Sequence, residues 1–174
     1  LYKCDDYLES HLKIGAMRKL PVMSKVSRMT WDEIWMRPID IQVKEEFEYY
    51  REELTLILED LNKYPKDRNI IVEGAAILPE FIEAMKISDE RVVFIIPTSE
   101  FQLEHYKKRE WIHYLLKDCK DPEKAFENWM ERDVRFANEI TEMTWLYGKN
   151  LIVTDGSKSI KENFNTVEKF FELV

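Results

Sequence analysis

Three short apolar runs constrain the fold more than anything else in this chain. They are Asn69-Ile70-Ile71-Val72-Glu73, Arg91-Val92-Val93-Phe94-Ile95-Ile96 and Asn150-Leu151-Ile152-Val153-Thr154. Each is rich in β-branched residues and continuous rather than alternating, the pattern of a strand covered on both faces in a parallel sheet. The opening Leu1-Tyr2-Lys3-Cys4 is a fourth, shorter candidate.

Parallel strands need crossovers, and the segments between the runs read as helices. Ile41 to Leu61 places Val43, Phe47, Tyr50, Leu54, Ile57, Leu58 and Leu61 at helical spacing with acids between them, and Pro38 fits the first turn. Pro79 to Lys86 reads as a short helix. Ser99 to Leu116 reads as one helix with Thr98 as its N-cap. Pro122 to Tyr147 carries Asp121 as N-cap, Pro122 at the first position and Gly148 just beyond the end. A last helix opens at Ser157 or Ser159 and runs to Phe171. Residues 14–37, rich in Met, Lys and Trp, show no clean period; Trp31 and Trp35, four apart, would share a helix face. Strands alternating with helices predict an α/β fold in one domain over residues 1–174, with core strands near 1–4, 69–73, 91–96 and 150–154.

Composition narrows the function classes. A net charge of −8 argues against a nucleic-acid partner, which needs a basic face. No apolar run approaches the roughly 18 residues of a membrane span. The two cysteines, Cys4 and Cys119, have no metal spacing and fit a reducing compartment. These features lead to the expectation of a cytoplasmic protein.

Four constellations can carry chemistry. Cys4-Asp5-Asp6-Tyr7 lies at the exit of the opening strand, where open parallel sheets bind ligands. Adjacent acids there can hold Mg²⁺ or take a proton from a hydroxyl; the plainer alternative is that one of them caps the next helix. Glu73-Gly74 ends the second run, where a carboxylate can support Mg²⁺ and glycine permits close approach; an ordinary strand exit would look the same. Lys107, Lys108 and Arg109, with Arg132 and Arg135 on the next long helix, offer cations for a phosphoryl group, or form a solvated basic face. Thr154-Asp155-Gly156 leaves the last strand at a place that borders the base in nucleotide folds, or is a simple turn. His11, His105 and His113 show no spacing that favours a metal over chance.

The order of these motifs resembles the P-loop kinases of small metabolites, nicotinamide riboside kinase and uridine kinase most closely, shikimate and gluconate kinases more distantly. The resemblance implies a three-layer P-loop kinase-like fold, a parallel sheet flanked by helices. It implies ATP and Mg²⁺ as cofactors, and transfer of the γ-phosphate to a hydroxyl of a small, nucleoside-like acceptor. It casts Asp5 and Asp6 as base or Mg²⁺ partner, Glu73 as support for Mg²⁺ alongside Asp6, and Arg109 as a catalytic lid cation. Lys107, Arg132, Arg135 and Asp155 become nucleotide-binding, in a lid over about 105–135. Residues 14–37 become the acceptor cover; their Arg18, Lys25, Arg28 and Arg37 suggest an acidic or phosphorylated acceptor, or are simply solvated charge. One feature departs from the family: no G-x-x-x-x-G-K-S/T occurs, and the four glycines are Gly15, Gly74, Gly148 and Gly156. The family's phosphate-loop strand comes first in sequence and sits mid-sheet, so a strand–loop–helix unit is expected ahead of Leu1. The rival expectation is a non-catalytic nucleotide-binding or assembly module, with the 41–61 helix as a homodimer seam.

Overall fold

The computed structural model describes residues 1–172. The chain divides into two compact units, one ending at Leu78 and the other starting at Pro79.

The first unit opens with β1 (Tyr2–Lys3), passes through a 3₁₀ turn at Cys4–Tyr7, and continues as α1 (Leu8–Met17), α2 (Pro21–Val26), α3 (Trp31–Trp35), α4 (Ile39–Leu61) and β2 (Val72–Glu73). β1 and β2 pair in parallel, Tyr2 with Val72 and Lys3 with Glu73. The stretch without a clean period holds two short helices whose ends are satisfied from a distance. Pro21 opens α2, and the Glu52 carboxylate accepts from the Val22 and Met23 amides at 2.8 Å each. Thr30 and Glu33 form a reciprocal capping box on α3. Gln42 donates to the Trp35 and Arg37 carbonyls at 3.1 and 2.8 Å, closing that helix's far end. Of the two tryptophans, Trp35 is buried and Trp31 remains 39% exposed. α1 and α2 meet at Gly15, where an added Cβ would lie 2.2 Å from the Met23 sulfur. Tyr2, Cys4, Ile57 and Ala76 form a buried cluster, with Tyr50, Leu61, Ile70 and Val72 packed against it. The long helix thus covers its own sheet. It also turns polar groups inward, because Gln42 and Glu53 are buried on the same stripe as Val43, Phe47, Leu56 and Ile57.

The second unit contains α5 (Pro79–Ala84), β3 (Val93–Pro97), α6 (Ser99–Tyr106), α7 (Glu110–Leu116), α8 (Pro122–Leu146), β4 (Asn150–Thr154) and α9 (Ile160–Phe170). β3 and β4 pair in parallel over five positions, from Val93 with Asn150 to Pro97 with Thr154. α8 packs on both strands and on α5, α6 and α7. Its ends follow local signals: the Asp121 side chain accepts from the Lys124 amide at 2.9 Å, Pro122 stands in the first turn, and Gly148 has φ 63°. Ser159, not Ser157, caps α9, in a capping box with Glu162.

Two expectations are corrected. Residues 99–116 are not one helix but α6 and α7, parted at Lys107–Arg109. The Arg109 backbone is extended there, its guanidinium lies 4.3 Å from the Tyr106 ring centroid, and His113 bonds the Lys107 carbonyl at 3.0 Å. The break lets α7 bury Ile112 and Leu116 completely. The sheet also differs from the expectation of one layer of strands covered on both faces. The strands form two separate two-stranded parallel sheets, β1–β2 and β3–β4. Ile71, Ile95 and Val153, which the continuous apolar runs marked for burial, are 64%, 51% and 57% exposed. The architecture is α/β, helix-rich with parallel strand pairs. No described helix is long and apolar enough to cross a membrane.

Candidate functional site: the acidic strand exits

Parallel pairing of β1 with β2 decides where the first unit's acids emerge. Because Lys3 sits beside Glu73, the Asp5–Asp6 turn and Glu73 leave the sheet at the same, carboxyl end. All three carboxylates are exposed. Neither aspartate caps a helix: Lys3 and Tyr7 hold the N-cap positions of the 3₁₀ turn and α1, and neither cap is made by a side chain. The plainer reading of the acid pair is thereby set aside.

Gly74 follows Glu73 with φ 147°, and an added Cβ there would lie 2.5 Å from the Cys4 Cβ and 2.9 Å from its sulfur. This glycine lets the loop after β2 close against the strand exit of β1. The Cys4 thiol beneath is pushed up to about 12, first by burial and then by the charges of Glu53, Asp5 and Glu73. A thiol held neutral and buried is a poor nucleophile. With Cys119 buried as well, a chromogenic thiol reagent at pH 8 is expected to find no reactive cysteine in the native protein and both after unfolding in urea. Prompt labelling of Cys4 in the native state would contradict this packing.

Under the exit lies a polar network that sequence reasoning missed. His11, 1% exposed, places Nδ1 2.9 Å from Glu53 Oε1 and Nε2 3.1 Å from Asp60 Oδ2. Each contact joins a ring nitrogen to a carboxylate oxygen, so each needs a proton, one more than a neutral imidazole and two bare carboxylates supply. Burial pushes the Glu53 carboxyl up, while its bond to His11 pulls it down by less. Its second oxygen is buried and makes no hydrogen bond to any described residue. Asp60 also accepts from the Tyr2 hydroxyl at 3.3 Å and from Lys63 at 2.6 Å. Tyr7 stacks on Tyr2 with centroids 4.6 Å apart, and on His11 at 5.8 Å.

Burial raises the Asp60 carboxyl, but the bonds from Lys63 and His11 outweigh it and hold it below the usual carboxylate value. A carboxyl whose folded value is depressed contributes stability that is complete above the unfolded value of about 4. That contribution is lost as pH falls through the folded value. Asp60→Asn is therefore expected to flatten the acid side of the stability–pH curve below about pH 5, read from urea unfolding at a series of pH values. An unchanged acid slope would remove Asp60 from the acid response.

The cations of residues 14–37 are largely spoken for within the first unit. Arg18 binds Glu59 through two nitrogens at 2.7 and 2.8 Å. Lys25 and Arg37 share Glu45, and Arg28 donates to the Ser24 carbonyl at 2.8 Å. Arg18, Lys25 and Arg37 thus meet carboxylates of α4, while Arg28 turns back on its own segment.

The remaining candidates lie in the second unit. Arg109 and Lys107 are exposed at the α6–α7 break. Arg132 pairs with Asp133 at 2.7 Å, both side chains being mostly buried, and Asp133 accepts from Gln102 at 3.2 Å. That chain of contacts ties α6 to α8. Arg135 bonds Glu131 one turn back on α8 at 2.7 Å. Asp155 closes its own turn, accepting from the Ser157 amide at 2.9 Å and hydroxyl at 2.6 Å, and these bonds hold its carboxyl low.

Among the described residues no group of three or more His, Cys, Asp or Glu is arranged to hold a metal by itself. Mg²⁺ asks for less, since it keeps several waters and takes one or two carboxylates together with substrate phosphates. Exposed Asp5 or Asp6 and Glu73, hard oxygen donors on adjacent strand ends, fit that demand. Comparison with protein-family models, with curated proteins and with solved structures yields no match.

Proposed function

We propose that this chain contributes acceptor activation and metal support to an ATP-dependent phosphotransferase acting on a hydroxyl of a small, nucleoside-like metabolite. The observation that carries the reading is the β1–β2 pairing, which brings Asp5 and Asp6 to the same sheet end as Glu73. An acceptor hydroxyl becomes a nucleophile when a positioned carboxylate takes its proton, and either aspartate is exposed for that task. Glu73, on the adjacent strand end, orients the metal's water shell. Bound Mg²⁺ with ATP supplies charge neutralisation on the transferring phosphoryl group. In the second unit Arg109, seated on the Tyr106 ring, and Lys107 are exposed cations, whereas Arg132 and Asp155 have internal partners. The grip on the ATP phosphates has no residues in this chain, which has no glycine-rich lysine loop.

The absence of that loop equally favours a second reading, a binding or assembly module without turnover.

The two readings separate in one assay. The full-length protein with ATP and Mg²⁺, offered a panel of nucleosides and other hydroxylated metabolites, is expected to release ADP in an acceptor-dependent and Mg²⁺-dependent manner. ATP binding with no acceptor-dependent ADP would leave the module reading standing and sink the kinase one.

A further inference from the structure

The acid pair sits in a turn that is held from both sides. Tyr2 precedes it on β1 and donates to Asp60; Tyr7 follows it and stacks on Tyr2 and on His11. His11 in turn spans Glu53 and Asp60 on α4. α4 reaches the turn through Asp60 and the His11 ring, and also through Ile57, which shares a buried cluster with Tyr2 and Cys4. Both aspartates are exposed on this short 3₁₀ turn, and neither caps a helix.

We infer that His11, braced between Glu53 and Asp60, is a positioning residue for the Asp5–Asp6 turn and acts on it through the rings of Tyr7 and Tyr2. The inference rests on the phosphotransferase reading for its catalytic consequence but not for its structural one. A buried histidine with both nitrogens bonded to carboxylates is costly to keep, since the second oxygen of Glu53 has no hydrogen-bond partner among the described residues. The position it secures is that of the residues proposed to meet the acceptor. His11 touches neither the metal nor the acceptor in this scheme, so its effect is on geometry rather than on binding.

The test uses the full-length protein and two variants, His11→Gln and Tyr7→Leu, with two readouts. The first is amide hydrogen exchange over Cys4–Leu8, measured without any ligand. Both variants are expected to speed exchange there by about tenfold, as loss of a local clamp does, while exchange elsewhere in the chain keeps its wild-type pattern. The second is steady-state turnover with ATP, Mg²⁺ and whichever acceptor of the panel is used. A displaced base lowers kcat by up to ~10²-fold, with KM for ATP within about twofold of wild type. Should His11→Gln fail to fold, Tyr7→Leu carries both readouts, because it leaves the His11 bonds in place. Wild-type exchange over Cys4–Leu8 in a folded variant overturns the inference, as does uniform loss of protection or a wild-type kcat. If the wild-type protein turns over no acceptor, the phosphotransferase reading falls, and the exchange result alone decides whether His11 positions the turn.

Discussion

Replacing Asp6 with Asn in the full-length protein is expected to lower kcat by ~10²–10⁴-fold, the usual worth of a positioned general base. If Asp5 is the base, Asp5→Asn carries that loss and Asp6→Asn the smaller one. The side chains are exposed and cap no helix, so the change from carboxylate to amide removes basicity without disturbing packing. Surface substitutions away from caps and core shift stability by less than about 0.5 kcal/mol, and the melting curve should therefore stay in place while turnover collapses. Glu73→Gln tests the partner role. It is expected to raise the Mg²⁺ concentration needed for half-maximal rate, because one anionic oxygen of the pair is lost. The pattern to look for is a large kcat effect at one aspartate and a metal effect at Glu73. Wild-type kinetics in all three variants would remove the strand exits from the mechanism.

Gly74→Val is expected to be the most damaging single change to the first unit. The backbone at Gly74 has φ 147°, and a Cβ there would meet the Cys4 Cβ at 2.5 Å and its sulfur at 2.9 Å. Neither side can give way easily. Cys4 is 1% exposed, in one cluster with Tyr2, Ile57 and Ala76. A side chain in a glycine-only backbone region costs about 1–3 kcal/mol, and overpacking a core costs about 1–3 kcal/mol more. A loss of roughly 2–6 kcal/mol would be a large part of a typical domain's stability. Urea unfolding followed by fluorescence measures it directly. Gly148→Ala is the control: φ is 63° there, but nothing lies within 4 Å, so only the backbone cost of about 1–2 kcal/mol applies. Equal losses at the two positions would mean that Cys4 and Gly74 do not crowd one another.

The network under the strand exits shows why part of the site escaped a sequence reading. Glu53 looks like any acid on an amphipathic helix, and His11 like any histidine five or six residues from acids. Their contact spans 42 positions, and that of His11 with Asp60 spans 49. Nothing in local periodicity reports such a pairing, although two polar residues on the buried stripe of α4, Gln42 and Glu53, are the kind of irregularity that marks one. The ion pairs of residues 14–37 were illegible for the same reason. Counted along the chain the cations make a basic patch; folded, Arg18, Lys25 and Arg37 meet Glu59 and Glu45.

What the amino-acid order determined alone was everything governed by neighbours within a turn or two. Asp121, Pro122 and Gly148 bound α8, Thr98 and Ser159 cap α6 and α9, and the run at 150–154 is a strand over those same residues. Caps and turns depend on hydrogen bonds spanning three or four residues, so their signals are written locally. Tertiary structure decided the rest. It broke the 99–116 segment at a place with no glycine or proline, because burying Ile112 and Leu116 and seating Arg109 on Tyr106 outweighed continuous helix. It divided the strands into two parallel pairs, since strand partners are chosen by backbone edges far apart in sequence. And it set the Asp5–Asp6 turn beside Glu73, because only the register of β1 on β2 brings residues nearly seventy positions apart to one end of a sheet.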